Sequence, residues 1–234
     1  STEEFQQRAS EAFLQYNDES FLLVIAQSRL MALQSMLALE EPSKEDQELF
    51  VATAIQAVLE AEEAIKLDDS NPAGHATLAD IFIVLASAGF TDAADRATAK
   101  LEDATWRDPQ NPLYVMAEAS LAIRLNDSVK AREKIQKALE LKRNYSEALF
   151  MLSQIDVKDG NLDNAVTTAK QIITLEPNNP TRYYQLGVLQ AAKKDLPASI
   201  QAYEAAISLD KNFANARYML ALSYLDSNRL DDAL

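Results

Sequence analysis

The sequence predicts an all-helical fold, a solenoid in which antiparallel helix pairs stack on one another. Ala and Leu are abundant, whereas the 234 residues include only 4 Gly and 7 Pro, a composition that favours helices. Apolar residues recur with helical spacing in successive segments that are separated by short turns. The same residue types return at intervals of about 34 residues along most of the chain, which is typical of a repeat protein.

Small residues occupy equivalent positions in successive units. A side chain larger than Ala would push two crossing helices apart, so such positions indicate tight helix crossings. One helix pair cannot bury its apolar face alone, and the pairs are therefore expected to stack. Three columns follow the period, with one large exception at Ile172: Ala119, Ser153, Gly187 and Ala221; Ala97, Ala131, Ala165, Ser199 and Ala233; Ala104, Ala138, Ile172 and Ala206.

The boundaries of the units coincide with Asn-Pro pairs. Asn111-Pro112 and Asn179-Pro180 lie between units, where Asn can cap a helix and Pro can occupy its first turn. The spacing predicts a single helical-repeat domain over residues 1–234. Within it we expect regular repeats over 112–145, 146–179 and 180–213, and a truncated repeat over 214–234.

The N-terminal part departs from the regular spacing. Pro72 and Pro112 are further apart than one regular unit, so the repeat over 71–111 contains about six extra residues. These residues are predicted between Ala79 and Ala97, as a lengthened first helix or a longer turn. Residues 1–70 predict irregular helices and a first repeat, with an extra helix over 3–16. Because the chain stops within a predicted second helix that carries apolar residues, we expect a fragment of a longer protein.

Taken together, these residues resemble the tetratricopeptide repeat. The unit over 180–213 matches best, with Tyr183, Gly187, Tyr203 and Ala206 at the motif positions, whereas Glu118 stands where a large apolar residue is usual. The resemblance is strong over 112–234, fair over 57–111 and weak before that. It implies a right-handed superhelix of roughly five helix pairs plus an extra N-terminal helix.

The resemblance also implies where a partner would bind. The first helix of each pair lines the concave face in this family, and one of its columns becomes aromatic along this chain, which suits a peptide or helix with apolar anchors. Packing of some of these rings on the next repeat is the alternative. The Lys, Asn and Arg clamp of chaperone-binding members is not reproduced, so we expect no tight binding to chaperone C-terminal tails. The predicted partner-binding residues are Met116, Ser120, Arg124, Phe150, Gln154, Lys158, Tyr184, Val188, Tyr218 and Leu222.

Residues suited to catalysis or metal binding are scarce. The chain has no Cys and a single His, His75, which excludes disulfides, thiolate metal sites and sites that need two imidazoles. Four glycines form no phosphate-binding loop. We therefore expect no enzyme, no metal and no cofactor. His75 is expected to be a packed or half-exposed helix residue. Trp106 is expected to pack at a repeat junction, with anchoring of a partner as the alternative.

The charge of the chain limits its partners. The formal net charge is −14, all of it within residues 1–110, which contain 21 acids and 7 bases. Such a surface repels phosphate groups, so neither nucleic acid nor an anionic membrane is an expected partner. The chain contains no run of about 18 uncharged apolar residues, and we expect no direct membrane insertion.

Two functions from different classes remain. The first is a protein–protein interaction scaffold that binds a peptide or protein partner in the concave groove. The alternative is a structural or assembly tail, or a spacer, of a larger and membrane-anchored protein. In that alternative, self-association through the open ends of the solenoid is expected.

Overall fold

The computed structural model of the protein describes residues 18–227, which form eleven α-helices and no strands. This confirms the predicted all-helical fold. The predicted helix over 3–16, and residues 228–234 of the truncated repeat, lie outside the described residues. The helices are α1 (Glu19–Leu37), α2 (Lys44–Leu67), α3 (Pro72–Ser87), α4 (Ala93–Arg107), α5 (Pro112–Arg124), α6 (Ser128–Leu141), α7 (Ser146–Lys158), α8 (Leu162–Leu175), α9 (Pro180–Ala192), α10 (Leu196–Leu209) and α11 (Ala214–Asp226).

The helices belong to two compact units. Unit 1 comprises Ser1–Asp127 and contains α1 to α5, and unit 2 comprises Ser128–Leu234 and contains α6 to α11. Within each unit every helix packs on the next one along the chain, and in unit 1 α3 also packs on α1. That residues 1–234 form a single domain stays a prediction.

Asparagine side chains cap the first helix of three pairs, as the Asn-Pro pairs predict. The Asn71 side chain accepts a hydrogen bond from the Ala73 amide at 2.9 Å. Asn111 and Asn179 cap α5 and α9 in the same way. Each is followed by Pro in the first turn, where the missing amide hydrogen costs no helical hydrogen bond.

The turn inside each regular pair also repeats. Asn126, Gly160 and Lys194 lie at equivalent positions of successive units and have positive φ angles of 62°, 79° and 64°. In each turn the next amide donates to the carbonyl five residues before it, as Asn161 does to Asp156 at 2.7 Å. This is the Schellman ending of a helix, in which one residue adopts the left-handed conformation.

The small columns lie at buried helix crossings. Ala131, Ala165 and Ser199 are all fully buried, as expected where two helices approach closely. The Ser153 hydroxyl donates to the Ala165 carbonyl at 3.3 Å, so two of the columns meet between α7 and α8. The exception Ile172 is buried as well.

The six extra residues are distributed over the whole pair α3–α4. Helix α3 has 16 residues and α4 has 15, whereas their counterparts α7 and α8 have 13 and 14. The turn between α3 and α4 is two residues longer than the turn between α7 and α8. Three extra residues therefore lie in α3, two in the turn and one in α4, so both predicted forms of the insertion are present.

Glu118, which departs from the motif, is a buried carboxylate with a partner. It lies on α5 inside unit 1, where the Thr105 hydroxyl of α4 donates to its Oε1 atom. A buried carboxylate is stabilised by such a hydrogen bond. The motif position that is usually apolar is therefore occupied here by a polar contact between neighbouring helices.

His75 and Trp106 have opposite environments. His75 is buried, as predicted, with Asp69 and Asp103 3.3 and 3.5 Å from its two ring nitrogens. Among the described residues no group of His, Asp or Glu side chains could hold a metal ion. Trp106 is 78% exposed, with the Arg107 guanidinium 5.5 Å from its ring. The prediction that Trp106 packs at a repeat junction is therefore wrong, because its side chain points away from the core of unit 1.

Helix α1 meets the length and composition criteria for a membrane-spanning helix, and it is the only described helix that does so. In this structure one of its faces packs into unit 1 through Leu22, Ala26 and Leu33, and its Arg29 pairs with Glu60 of α2 at 2.7 Å. These contacts hold one face of α1 against unit 1. The absence of direct membrane insertion stays a prediction.

Candidate functional site

Unit 2 contains an open groove between two first helices. Its cavity of 340 Å³ lies between α7 and α9, above residues of α8. Four of the predicted partner-binding residues line it together. The described lining consists of Phe150, Ser153, Gln154, Val157, Ala169, Ile172, Arg182, Tyr184, Gln185, Val188 and Leu189.

A fixed arginine lies beside the apolar floor of this groove. The Arg182 guanidinium lies 5.4 Å from the centre of the Phe150 ring, which is the distance of a cation–π contact. Its Nε atom donates to Glu176 at 2.8 Å, and an Nη atom donates to Gln185 at 3.2 Å. Arg182 is thus held in one orientation with its charge partly balanced by Glu176.

Glu176 connects three helices at the edge of the groove. Besides Arg182, the Ser146 side chain and the Asn179 amide donate to its carboxylate. These hydrogen bonds, chiefly that of Arg182, lower the pKa of Glu176 from 4.5 to about 2. The carboxylate therefore stays ionised and keeps the first turns of α7 and α9 tied to the end of α8.

Tyr184 has a structural role as well as a place in the groove. Its ring lies 5.2 Å from that of Phe213 and 6.0 Å from that of Tyr203, distances of tilted aromatic pairs. Packing of this ring on neighbouring helices, the alternative raised by the sequence, is thus present. A substitution of Tyr184 would disturb the fold and the groove together.

Unit 1 has a groove of its own, and it is more polar. A cavity of 430 Å³ lies between α1, α3 and α5. Ser120 and Arg124 line it, and Asp80 lies on the same surface. The walls of the cavity partly desolvate Asp80, which is exposed at its surface, and this raises the pKa of Asp80. The Ser120 hydroxyl donates to the carbonyl of Met116 at 3.0 Å.

The remaining predicted residues lie elsewhere. Met116 is buried in unit 1 and lines neither cavity. Lys158 is exposed at the end of α7, and Tyr218 and Leu222 are exposed on α11. None of these three residues lines the described cavity of unit 2.

Sequence reasoning missed part of the unit 2 groove. Arg182, Gln185 and Leu189 follow each other at helical spacing on α9 and face the cavity. The predicted residues follow one another at four-residue spacing on each first helix, as Phe150, Gln154 and Lys158 do, whereas a groove between two helices is lined by a wider face of each. Their i, i+3, i+7 spacing places them on one face of a helix, and this sequence feature could have identified them as groove residues.

Comparison with solved structures identifies the fold. The tetratricopeptide-repeat protein YrrB aligns with a TM-score of 0.58 and 18% identity, over 95% of this chain and 98% of that one. PilF of Pseudomonas aeruginosa aligns with a TM-score of 0.61 and 14% identity, over 89% of this chain and 87% of that one. Identities this low show a shared fold only.

A family model for the tetratricopeptide repeat matches residues 150–212 and 184–234. The chain contains tetratricopeptide repeats over residues 150–234. The matched residues include all the described residues that line the unit 2 groove. The sequence-based assignment to this family is thereby confirmed.

One curated protein also matches a part of this tetratricopeptide-repeat chain. The protein adenylyltransferase fic-1 of Caenorhabditis elegans is 27% identical over 119 residues, which is 51% of this chain. The matched stretch covers 21% of the length of that protein. The adenylyltransferase activity belongs to fic-1 as a whole protein.

Proposed function

We propose that this tetratricopeptide-repeat protein is a non-enzymatic scaffold that binds a peptide or helix of a partner protein in the groove of unit 2. The observation that carries the proposal is the apolar cavity of 340 Å³ between α7 and α9, with Arg182 fixed at its side. Ligand cavities are commonly about 300–1,000 Å³. YrrB, which shares the fold, is described as having an unusual peptide-binding site.

The groove offers two kinds of contact. Phe150, Val188 and Leu189 form an apolar surface that a partner's large side chain would remove from water. Gln154 and Gln185 add amide groups beside this surface, which suits the backbone of an extended peptide or the polar side of an amphipathic helix. The expected ligand therefore has apolar anchors spaced along one face, with hydrogen-bonding groups beside them.

The proposal is tested with peptides selected against the purified chain from a random peptide library. The test substitution is Val188→Glu, because Val188 is 38% exposed in the groove and its replacement leaves the core intact. The control is Val129→Glu, the same chemical change at a residue of α6 that is 83% exposed outside the groove. Both variants should keep the helical circular dichroism of the wild type.

We expect Val188→Glu to weaken peptide binding by about tenfold or more, which corresponds to about 1.4 kcal/mol. Val129→Glu should bind within about twofold of the wild type, because an exposed substitution away from the site has little effect. If both variants bind the peptides equally well, the groove of unit 2 is not the binding site. Failure to select any binding peptide would count against the scaffold function itself.

A second candidate function is assembly through α11. Tyr218 is 66% exposed and Leu225 is also exposed on this helix, and exposed apolar side chains favour association. Multi-angle light scattering of the wild type and of Tyr218→Lys distinguishes the candidates. Concentration-dependent oligomers that this substitution removes would favour assembly, whereas a monomer in both cases would leave the groove as the functional surface.

A further inference from the structure

Unit 1 contains an apolar pocket that lies outside its groove. The pocket has a volume of 270 Å³ and is formed by the end of α1, the α1–α2 loop, the start of α2 and the α3–α4 turn. Its lining is almost entirely apolar, with Asp46 and Gln47 as the polar exceptions. The residues that matter most here are Leu39, Pro42, Phe50, Val51 and Phe90.

The α3–α4 turn forms one wall of this pocket. Phe90 lies in the lengthened α3–α4 turn, and its ring stacks on that of Phe50 at 6.3 Å with an interplanar angle of 27°. Its amide donates to the Leu85 carbonyl at 3.0 Å, and Gly89 before it has a φ of +88°. Gly89 and Phe90 thus repeat the Schellman ending of the regular turns, in which the position of Phe90 is held by Asp127, Asn161 and Asp195. The aromatic wall is therefore specific to this repeat.

The apolar lining is only partly covered. Leu39, Val51 and Phe90 are each exposed to between 43% and 46%, although together they surround one cavity. Removing a contiguous apolar surface of this kind from water is favourable in free energy. Such surfaces on soluble proteins mark interaction sites.

One side of the pocket rim, the segment over residues 40–48 that contributes Pro42, Asp46 and Gln47 to the lining, is strongly acidic. Residues 40–48 contain five acidic side chains and one basic one, Lys44, and Lys44 pairs with Glu48 at 3.7 Å. Asp46 accepts hydrogen bonds from the Ser43 amide at 2.9 Å and the Ser43 hydroxyl at 2.6 Å. These bonds lower the pKa of Asp46. The rim therefore presents negative charge beside the apolar opening at neutral pH.

We propose that this pocket binds a bulky apolar side chain of a basic partner segment, one in which Lys or Arg residues flank a Leu, Met or aromatic residue. The apolar side chain fills the space beside Val51 and Phe90, as anchors do at protein interfaces. The flanking cations face the acidic rim, which speeds the encounter and rejects acidic sequences. This site is separate from the groove of unit 2 and does not depend on its function.

The test uses the full chain and three fluorescein-labelled synthetic peptides. The first has a central Leu-Phe pair flanked by lysines, the second replaces the lysines with glutamates, and the third replaces Leu-Phe with Ser-Ser. Fluorescence anisotropy should show binding of the first peptide at least about fivefold tighter than of either other one. Its affinity should fall as salt is raised, because exposed charges are screened.

Substitutions inside and outside the pocket test whether the first peptide binds there. Val51→Glu places a charge in the pocket and should weaken binding of the first peptide at least about fivefold. Ile55→Glu, one turn further along α2 and outside the pocket lining, is 55% exposed and should bind like the wild type. Glu41→Lys should weaken binding, whereas Glu140→Lys on the exposed surface of unit 2 should not.

Several results would overturn the proposal. These are no binding of the first peptide, equal binding of the glutamate peptide, and equal effects of Val51→Glu and Ile55→Glu. Analytical ultracentrifugation at the same concentrations provides a further check. A dimer of the wild-type chain that Val51→Glu dissociates would assign the pocket to a second copy of this protein instead of a basic partner.

Discussion

The ring of Tyr203 on α10 occupies the space that a side chain at Gly187 on α9 would need. A Cβ atom built at position 187 would lie 2.6 Å from the Tyr203 Cδ1 atom and still closer to Cε1. Tyr203 is fully buried, so its ring has no room to move away. Gly at this motif position is therefore required by the aromatic residue that packs on it.

Gly187→Ala is predicted to destabilise unit 2 by about 1–3 kcal/mol, the usual range for overpacking a core. This loss already includes the gain in helix propensity that Ala brings. Urea unfolding followed by circular dichroism measures the change in the free energy of unfolding. Gly74→Ala is the milder comparison: the Cβ there would lie 2.9 Å from the Ile65 Cγ1 atom, but Ile65 is only partly buried and can shift, so a smaller loss is expected. An equal loss in both variants would contradict the steric explanation.

The Tyr203 hydroxyl leads to a second prediction. It is buried and has no hydrogen-bond partner among the described residues. Burial and the nearby Tyr184 raise the pKa of Tyr203 to about 12. Removing an unsatisfied buried hydroxyl relieves a desolvation cost, so Tyr203→Phe should leave stability unchanged or raise it by up to about 1 kcal/mol.

Tyr224→Phe is the matched comparison for this hydroxyl. The Tyr224 hydroxyl donates to Glu204 at 2.6 Å, and a hydrogen bond to a carboxylate contributes about 1.5–3 kcal/mol when buried. Since Glu204 is exposed, a loss near ~1 kcal/mol is expected. Thermal unfolding of Tyr203→Phe and Tyr224→Phe measures the difference between their changes in stability. A larger loss for Tyr203→Phe than for Tyr224→Phe would show that the Tyr203 hydroxyl is satisfied in solution.

Glu176 makes the stability of unit 2 depend on pH. Its pKa is about 2 in the folded chain, against 4.5 for an ordinary Glu. Because the folded pKa is the lower one, the stabilisation is fully present above pH 4.5 and is lost as the pH falls toward 2. The side chain is 27% exposed, so solvent screening limits the effect to about 1 kcal/mol.

The free energy of unfolding should therefore decrease more steeply with acid in the wild type than in Glu176→Gln. Urea titrations at a series of pH values between neutral and about pH 2 measure the two slopes. Arg182→Met removes the main partner and should flatten the slope in the same window. Parallel curves for the wild type and Glu176→Gln would mean that the Arg182 contact does not persist in solution.

The sequence predicted the repeat framework well and the groove only in part. The repeat period placed Ala131, Ala165 and Ser199 at buried crossings, because small residues there are required by helix spacing alone. The exposure of Trp106 and the burial of Met116 were not predicted. These depend on the rotation of one helix against its neighbours, which the repeat period does not determine.

The insertion shows the same limit. The spacing of Pro72 and Pro112 required about six extra residues, and their distribution over helix, turn and helix was left open. The contact of Phe90 with Phe50 joins residues that are distant in the sequence, in a repeat that departs from the period. The regular units have Asp127, Asn161 and Asp195 at the position of Phe90. Comparison with them therefore does not indicate an aromatic contact there.

The final prediction concerns Lys194, which occupies the left-handed conformation at the end of α9 with a φ of 64°. This conformation costs a residue with a Cβ about 1–2 kcal/mol relative to the right-handed one. Asn126 and Gly160 occupy the equivalent turns, and both residue types tolerate the conformation better than Lys does. Lys194 thus carries the largest strain of the three.

Lys194→Gly should relieve the backbone strain, but Gly also gives the unfolded chain more conformational entropy. The net result should be a rise in the stability of unit 2 of about 0.5–1 kcal/mol. Gly160→Ala should lower stability by a similar amount, and Asn126→Gly should change unit 1 less than Lys194→Gly changes unit 2. Thermal unfolding of the three variants ranks their changes in stability. Because Lys194 is exposed on the turn, a decrease in stability on Lys194→Gly would show that its side chain makes a stabilising contact that outweighs the backbone strain.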